Sequence, residues 1–149
     1  MPNRIARFFV IWFIMGMCYA QAELFVRGFT YLPMTFIGGF AGACIGLIDS
    51  HPSAPGLKMW QQCLLGCMIV LDTEFVSGLI CNVGLGMALW DYSKYTCNLD
   101  GQICLRFAAV WFFIVPAASW LDDFIRSRLF GEPDPGRMAD GYIRLLTLR

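Results

Sequence analysis

The stretch KMWQQCLLGCMIVLDTEFVSGLICNVGL, residues 58–85, decides the fold. As a helix rising about 1.5 Å per residue it is long enough to cross a hydrocarbon core of about 30 Å. Beyond Lys58 it carries only two charges, Asp72 and Glu74, in an otherwise apolar run. A charge at such depth is costly and reads by default as a functional group. At about 100° per residue, Cys63, Cys67, Glu74, Gly78, Cys81 and Asn82 share one side of the helix, while Asp72 points about 160° away from Glu74. The two acids are therefore not expected to act as a pair. Glu74 is expected in a packed polar interior and Asp72 beside some other neighbour.

Outward from this helix the composition is that of a membrane protein. Of 149 residues, 58% are hydrophobic and 15% charged, against about 45–50% and 25% in soluble domains. Basic and acidic residues balance at 11 each, and no basic stripe suits nucleic acid. Cys18, Cys44, Cys63, Cys67 and Cys81 lie in apolar runs, where cysteine acts as a small hydrophobe. Cys97 and Cys104 flank a polar loop and are the pair placed for a disulfide if they face an oxidising compartment. The single His51 stands in a Pro-rich turn, and no paired CxxC motif accompanies it, so no metal and no cofactor is expected.

Three further spans are expected. Residues 5–26 form the first; the segment imitates a signal peptide up to Ala20-Gln21-Ala22 and is read as a retained span. Glu23 and Arg27, four apart, share a face with Gly16, Tyr19 and Ala20. After a break at Pro33 the second span covers about 34–48, with Gly38, Gly42 and Gly46 at four-residue spacing and Gly39 beside them. This small-residue ridge, with Gly78 on the third span, is expected to pack tightly against other helices. The polar turn DSHPSAPG, 49–56, leads to the third span. The polar connection 86–102, with Trp90, Tyr92 and Tyr95, suits a membrane interface or a lid over a cavity. The fourth span is expected over 103–121 with Pro116 as a kink, and Trp120, Asp122, Asp123, Arg126 and Arg128 marking the exit into water. The tail has a breaker, GEPDPG, and an amphipathic end, YIRLLTL, suited to the membrane surface.

The expected fold is thus all-α: a four-helix transmembrane bundle over residues 1–128 with an extracytoplasmic loop between helices 3 and 4, then a polar cytoplasmic tail over 129–149. Both termini carry most of the basic residues, which predicts a cell-membrane protein with cytoplasmic termini. Glu23 and Glu74 each lie 16 residues beyond a basic residue at the cytoplasmic end, Arg7 and Lys58. Both then fall in the outer half with Arg27 and Arg106. These four predict a polar cluster roofed by Trp90, Asp91, Tyr92, Asn98 and Gln102, with Asn82 on the same face as Glu74, forming a ligand-binding site.

The residues TEFVSGLICN (73–82), LWDYSKYTCNLDGQICLRF (89–107) and Trp111 resemble the CmpB-like family, ABC-transporter type IV, across about residues 20–125. The resemblance implies a transport-related, permease-like integral membrane protein, and marks Glu74, Gly78, Asn82, Trp90, Asp91, Tyr92, Ser93, Asn98, Gly101 and Gln102 as family-motif positions. No GxxxxGK[ST] phosphate loop is present, so an ATPase would be a separate chain, and four spans call for a homo-oligomer or a partner subunit. Three readings stand. A transport subunit would bind a small polar ligand or lipid headgroup; an accessory protein would use the cluster only to hold helices together. A lipid-acting enzyme, with Glu74 or Asp91 as base, is the least favoured, because no catalytic Ser, Cys or His constellation accompanies the acid.

Overall fold

The computed structural model describes residues 3–49 and 56–148; most of the turn at 49–56, His51 included, lies outside the described residues. Five α-helices follow in order: α1 Arg4–Arg27, α2 Leu32–Asp49, α3 Met59–Gly78, α4 Leu105–Phe130 and α5 Met138–Leu146. A π-helical turn, Leu79–Gly84, prolongs α3. Among the described residues three helices are long and apolar enough to cross a membrane: Arg4–Arg27, Met59–Gly84 and Leu105–Phe130. The apolar helix Leu32–Ile48 is shorter.

Local chemistry sets the helix ends. Asn3 caps α1 by accepting the Ala6 N–H at 2.8 Å, and Gly28, at φ 77°, ends it by returning its N–H to Leu24. Pro33 sits in the first turn of α2, where its missing N–H costs nothing. Gln61 accepts the Lys58 N–H at 2.9 Å at the start of α3. Pro116 lies buried inside α4.

Glycine decides how α1 and α2 meet. A Cβ on Gly39 would enter the Trp12 carbonyl and the Gly16 backbone, and one on Gly16 would meet the Thr35 carbonyl. The neighbouring row has a different use: Gly38, Gly42 and Gly46 are hollows that seat the Tyr19 ring, Met15 and the Asp122 carboxyl. Between the helices lie two apolar clusters, one built on Ala41, Ile45, Met59, Cys63, Val70, Val115 and Leu145, the other on Ile11, Met15, Ala43 and Ile125. Large apolar side chains such as Phe13, Phe25, Val83 and Phe113 point outward, as expected where lipid rather than water surrounds a helix.

Two expectations are corrected and a third gains detail. The fourth helix does not surrender to water near Asp122: α4 continues to Phe130, and Asp122 is 0% exposed, lodged against Gly46 and ion-paired with Arg126 one turn on. Pairing and the space left by a glycine are what let the carboxylate stay buried. The amphipathic tail end forms a helix of its own, α5, which docks on the bundle. Leu145 enters the core, Gly141 rests near Pro116 and Met59, and the Tyr142 hydroxyl donates to the Phe113 carbonyl at 2.9 Å. Finally, Ile103 and Cys104 precede the fourth helix as a strand, β2, paired antiparallel with β1, Asn98–Leu99. The turn between them has Asp100 and Gly101 at φ 50° and 67°, with the Gln102 N–H returning to Leu99, and Asp-Gly is the dipeptide such a tight hairpin favours.

Candidate functional site

The segment between the π-helical turn and α4 is tied down by its own polar side chains. Asn82 donates to the Trp90 carbonyl at 3.1 Å and to Gln102 Oε1 at 2.9 Å, and accepts the Leu89 N–H at 2.7 Å. The Trp90 indole donates to the Gln102 carbonyl at 2.9 Å. Gly78 lies beneath, where a Cβ would strike Gln102 Oε1 and the Trp90 ring. Asn98 donates to the Tyr95 carbonyl at 2.7 Å and accepts the Gly101 N–H at 3.0 Å. Asp91 accepts the Ser93 N–H at 2.8 Å, closing a short turn. That bond first, and then one from the Ser93 hydroxyl at 3.0 Å, hold the Asp91 carboxyl below its ordinary value. The thiols of Cys97 and Cys104 are both free, one exposed and one buried.

Beneath this roof a cleft of about 740 Å³ runs along the bundle. Its walls are Cys18, Ala22 and Val26 of α1 and Val110, Ile114 and Leu121 of α4; its floor comes from α2 and α3. Polar groups gather at the roofed end: Glu23, Arg27, Glu74, Asp91 and Tyr92 all line the cleft there, with Tyr19 beside them. The rest is apolar. Several wall residues, among them Cys18, Ala22, Val26 and Val110, are exposed, so the cleft opens sideways between α1 and α4.

The two buried acids of this end differ in kind. Glu23 is satisfied: it binds Arg27 at 2.6 Å and accepts from the Thr30 hydroxyl at 2.5 Å. Glu74 is only 6% exposed. Trp111 and Tyr92 are the side-chain donors beside it, yet its Oε2 is fully buried without a hydrogen-bond partner, as is Trp111 Nε1. Such orphans are rare in folded proteins and call for an explanation, and here an unmatched acceptor and an unmatched donor are neighbours. Tyr92 stacks on Phe107 at 4.7 Å; burial pushes its hydroxyl up, the Glu74 carboxyl adds to this, and Arg27 opposes it.

Of the expected ligand-binding residues, the structure brings Glu23, Arg27, Glu74, Trp90, Asp91 and Tyr92 to the cleft. Asn82, Asn98 and Gln102 are occupied in fastening the loop, outside the lining. Arg106 stands apart: it is exposed, with its guanidinium 5.2 Å from the Tyr95 ring centre. Asp72 is exposed on the outer face of α3. Sequence reasoning did not single out Thr30, or Tyr19 and Trp111 as site residues. Tyr19 was on the face of Glu23, one turn earlier, and that spacing was the available signal.

No curated protein and no solved structure matches the chain. A family model does, over residues 7–131, with the motif positions 73–82 and 89–107 inside the match. The chain belongs to the family described as "Putative ABC-transporter type IV".

Proposed function

We propose that this protein is a membrane subunit of a transport system and binds a small polar ligand or lipid headgroup at the roofed end of the cleft. The observation that carries the reading is Glu74 Oε2, buried and without a partner at the polar end of a cleft of about 740 Å³. The family match supports the transport half of it. In this reading α2 crosses with the three longer helices, residues 1–128 form the transmembrane unit, and the tail over 129–149 lies in the cytoplasm with the N-terminus. The roof then faces the outside of the cell.

Asp72 supports a companion chain. It is exposed midway along an apolar helix, between the outward-facing Leu65, Met68, Val76 and Leu79, and an isolated carboxylate facing lipid is costly. A second copy or a partner subunit covers it, and a separate ATPase drives net transport, which the downhill exchange of lipid between leaflets does not need.

The test is flux in proteoliposomes carrying phospholipids labelled on the acyl chain, read as the fraction of label that becomes accessible to an external quencher. Wild-type protein should raise the rate, and Glu74→Gln should remove most of the increase. An unchanged rate in Glu74→Gln discards the reading. The closed Glu23, Arg27 and Thr30 network favours a second reading, a purely structural accessory protein. It predicts a lower melting temperature for Arg27→Gln and no ligand-dependent property at all.

A further inference from the structure

The cleft has the shape and polarity of one amphiphile. At about 30 Å³ per water-sized group, 740 Å³ accommodates about 25 non-hydrogen atoms, enough for one acyl chain and a small head. The apolar length of the cleft runs between Val26 and Leu121, and the polar groups are confined to the end beneath Trp90 and Tyr92. An aqueous solute would leave most of that wall unmatched. A chain of methylenes matches it, at about 0.8 kcal/mol per buried CH₂.

The head is constrained by charge. The cleft lining holds three carboxylates, Glu23, Glu74 and Asp91, against one guanidinium, Arg27. A free anion is therefore disfavoured. Glu74 Oε2 has no hydrogen-bond partner although Trp111 and Tyr92 stand beside it, so a head that brings its own donor can complete it. Arg27 spends one N–H on Glu23 and holds further donors in its planar fork, which suits a phosphate oxygen. Glu74, Tyr92 and Arg27 line the same cleft, so one head lying in it can address both charged groups.

Resting on the transport reading, and going further, we infer that the cleft takes a membrane lipid with an aminoethyl phosphate head: the primary ammonium donates to Glu74, the phosphate meets Arg27, and one acyl chain lies between α1 and α4. The lipid enters sideways, because the rim residues Cys18, Ala22 and Val110 are exposed while the roof is bonded shut. A trimethylated head keeps the charge but has no N–H to give. The orphaned oxygen therefore discriminates between the two.

The experiment places the full chain in bilayers of equal phosphatidylethanolamine, phosphatidylcholine and phosphatidylglycerol, extracts it in mild detergent and counts retained lipids by native mass spectrometry. Wild-type protein should retain phosphatidylethanolamine about tenfold over phosphatidylcholine, the scale of one charge-assisted hydrogen bond. Glu74→Gln should bring the two near parity. Ala22→Trp, which fills the rim without touching the roof, should lose all retained lipid at an unchanged melting temperature. Parity in the wild type, enrichment of phosphatidylglycerol, a lipid-free dimer, or enrichment that survives both substitutions would overturn the inference. Selective retention without flux keeps the lipid site and removes the transport role. Glu74-dependent flux with no headgroup preference does the reverse.

Discussion

Asn82 spends both ends of its amide on the loop, giving two N–H donations and accepting one backbone N–H. Asn82→Ala would strand the Leu89 N–H and the Trp90 carbonyl together, and each unmatched group costs about 1–3 kcal/mol. The variant should melt earlier in detergent, and a thiol reagent should then label Cys104, which is buried in the wild type. Asp91 gives the same loop a dependence on pH. Because the hydrogen bonds from Ser93 lower its folded pKa, its contribution is complete above the ordinary carboxylate value of about 4 and fades as pH falls through the lower folded value. Hydrogen exchange at the Ser93 amide, corrected for its intrinsic rate, should accelerate over that interval, and Asp91→Asn should flatten the response. Residue types alone put these side chains in one polar segment. They did not distinguish a residue that binds a ligand from one that builds a turn, because Asn, Asp and Gln serve both ends with the same atoms.

At the scale of the helices, periodicity located the three long apolar helices and the shorter α2 to within a few residues, except at the end of α4. There four charges within seven residues suggested water, but the i,i+4 spacing of Asp122 and Arg126 neutralised two of them inside the bundle. The seat in Gly46, which belongs to another helix, had no trace in local sequence. The glycine row on α2 was legible as a packing surface, though its division of labour was not: Gly39 admits backbone, whereas Gly38, Gly42 and Gly46 admit side chains. Gly39→Val should therefore push α1 off α2, costing about 1–3 kcal/mol by overpacking, since the Trp12 carbonyl and Gly16 backbone cannot swing aside as a side chain can. Gly84→Ala, whose new Cβ would lie 3.4 Å from the Leu79 carbonyl, should melt within a few tenths of a kcal/mol of wild type. Thermal unfolding of the two in the same detergent measures the difference.

Across the whole molecule, the sequence placed the acids at one level but could not say which would be satisfied. Glu23 and Glu74 looked alike by depth and neighbourhood. Only packing shows that Arg27 and Thr30 complete the first while one oxygen of the second stays unmatched. The same packing distributes mobility. The roof is bonded to the π-helical turn at Asn82 and to Gln102 ahead of α4, while the exposed flank residues Cys18, Ala22 and Val110 leave the cleft open between α1 and α4. With its entrance on the flank, the site meets its ligand as a mole fraction in two dimensions. Occupancy would follow the lipid composition of the surrounding leaflet and stay indifferent to dilution of the buffer, so the bilayer acts as the reservoir that sets how often the cleft is filled.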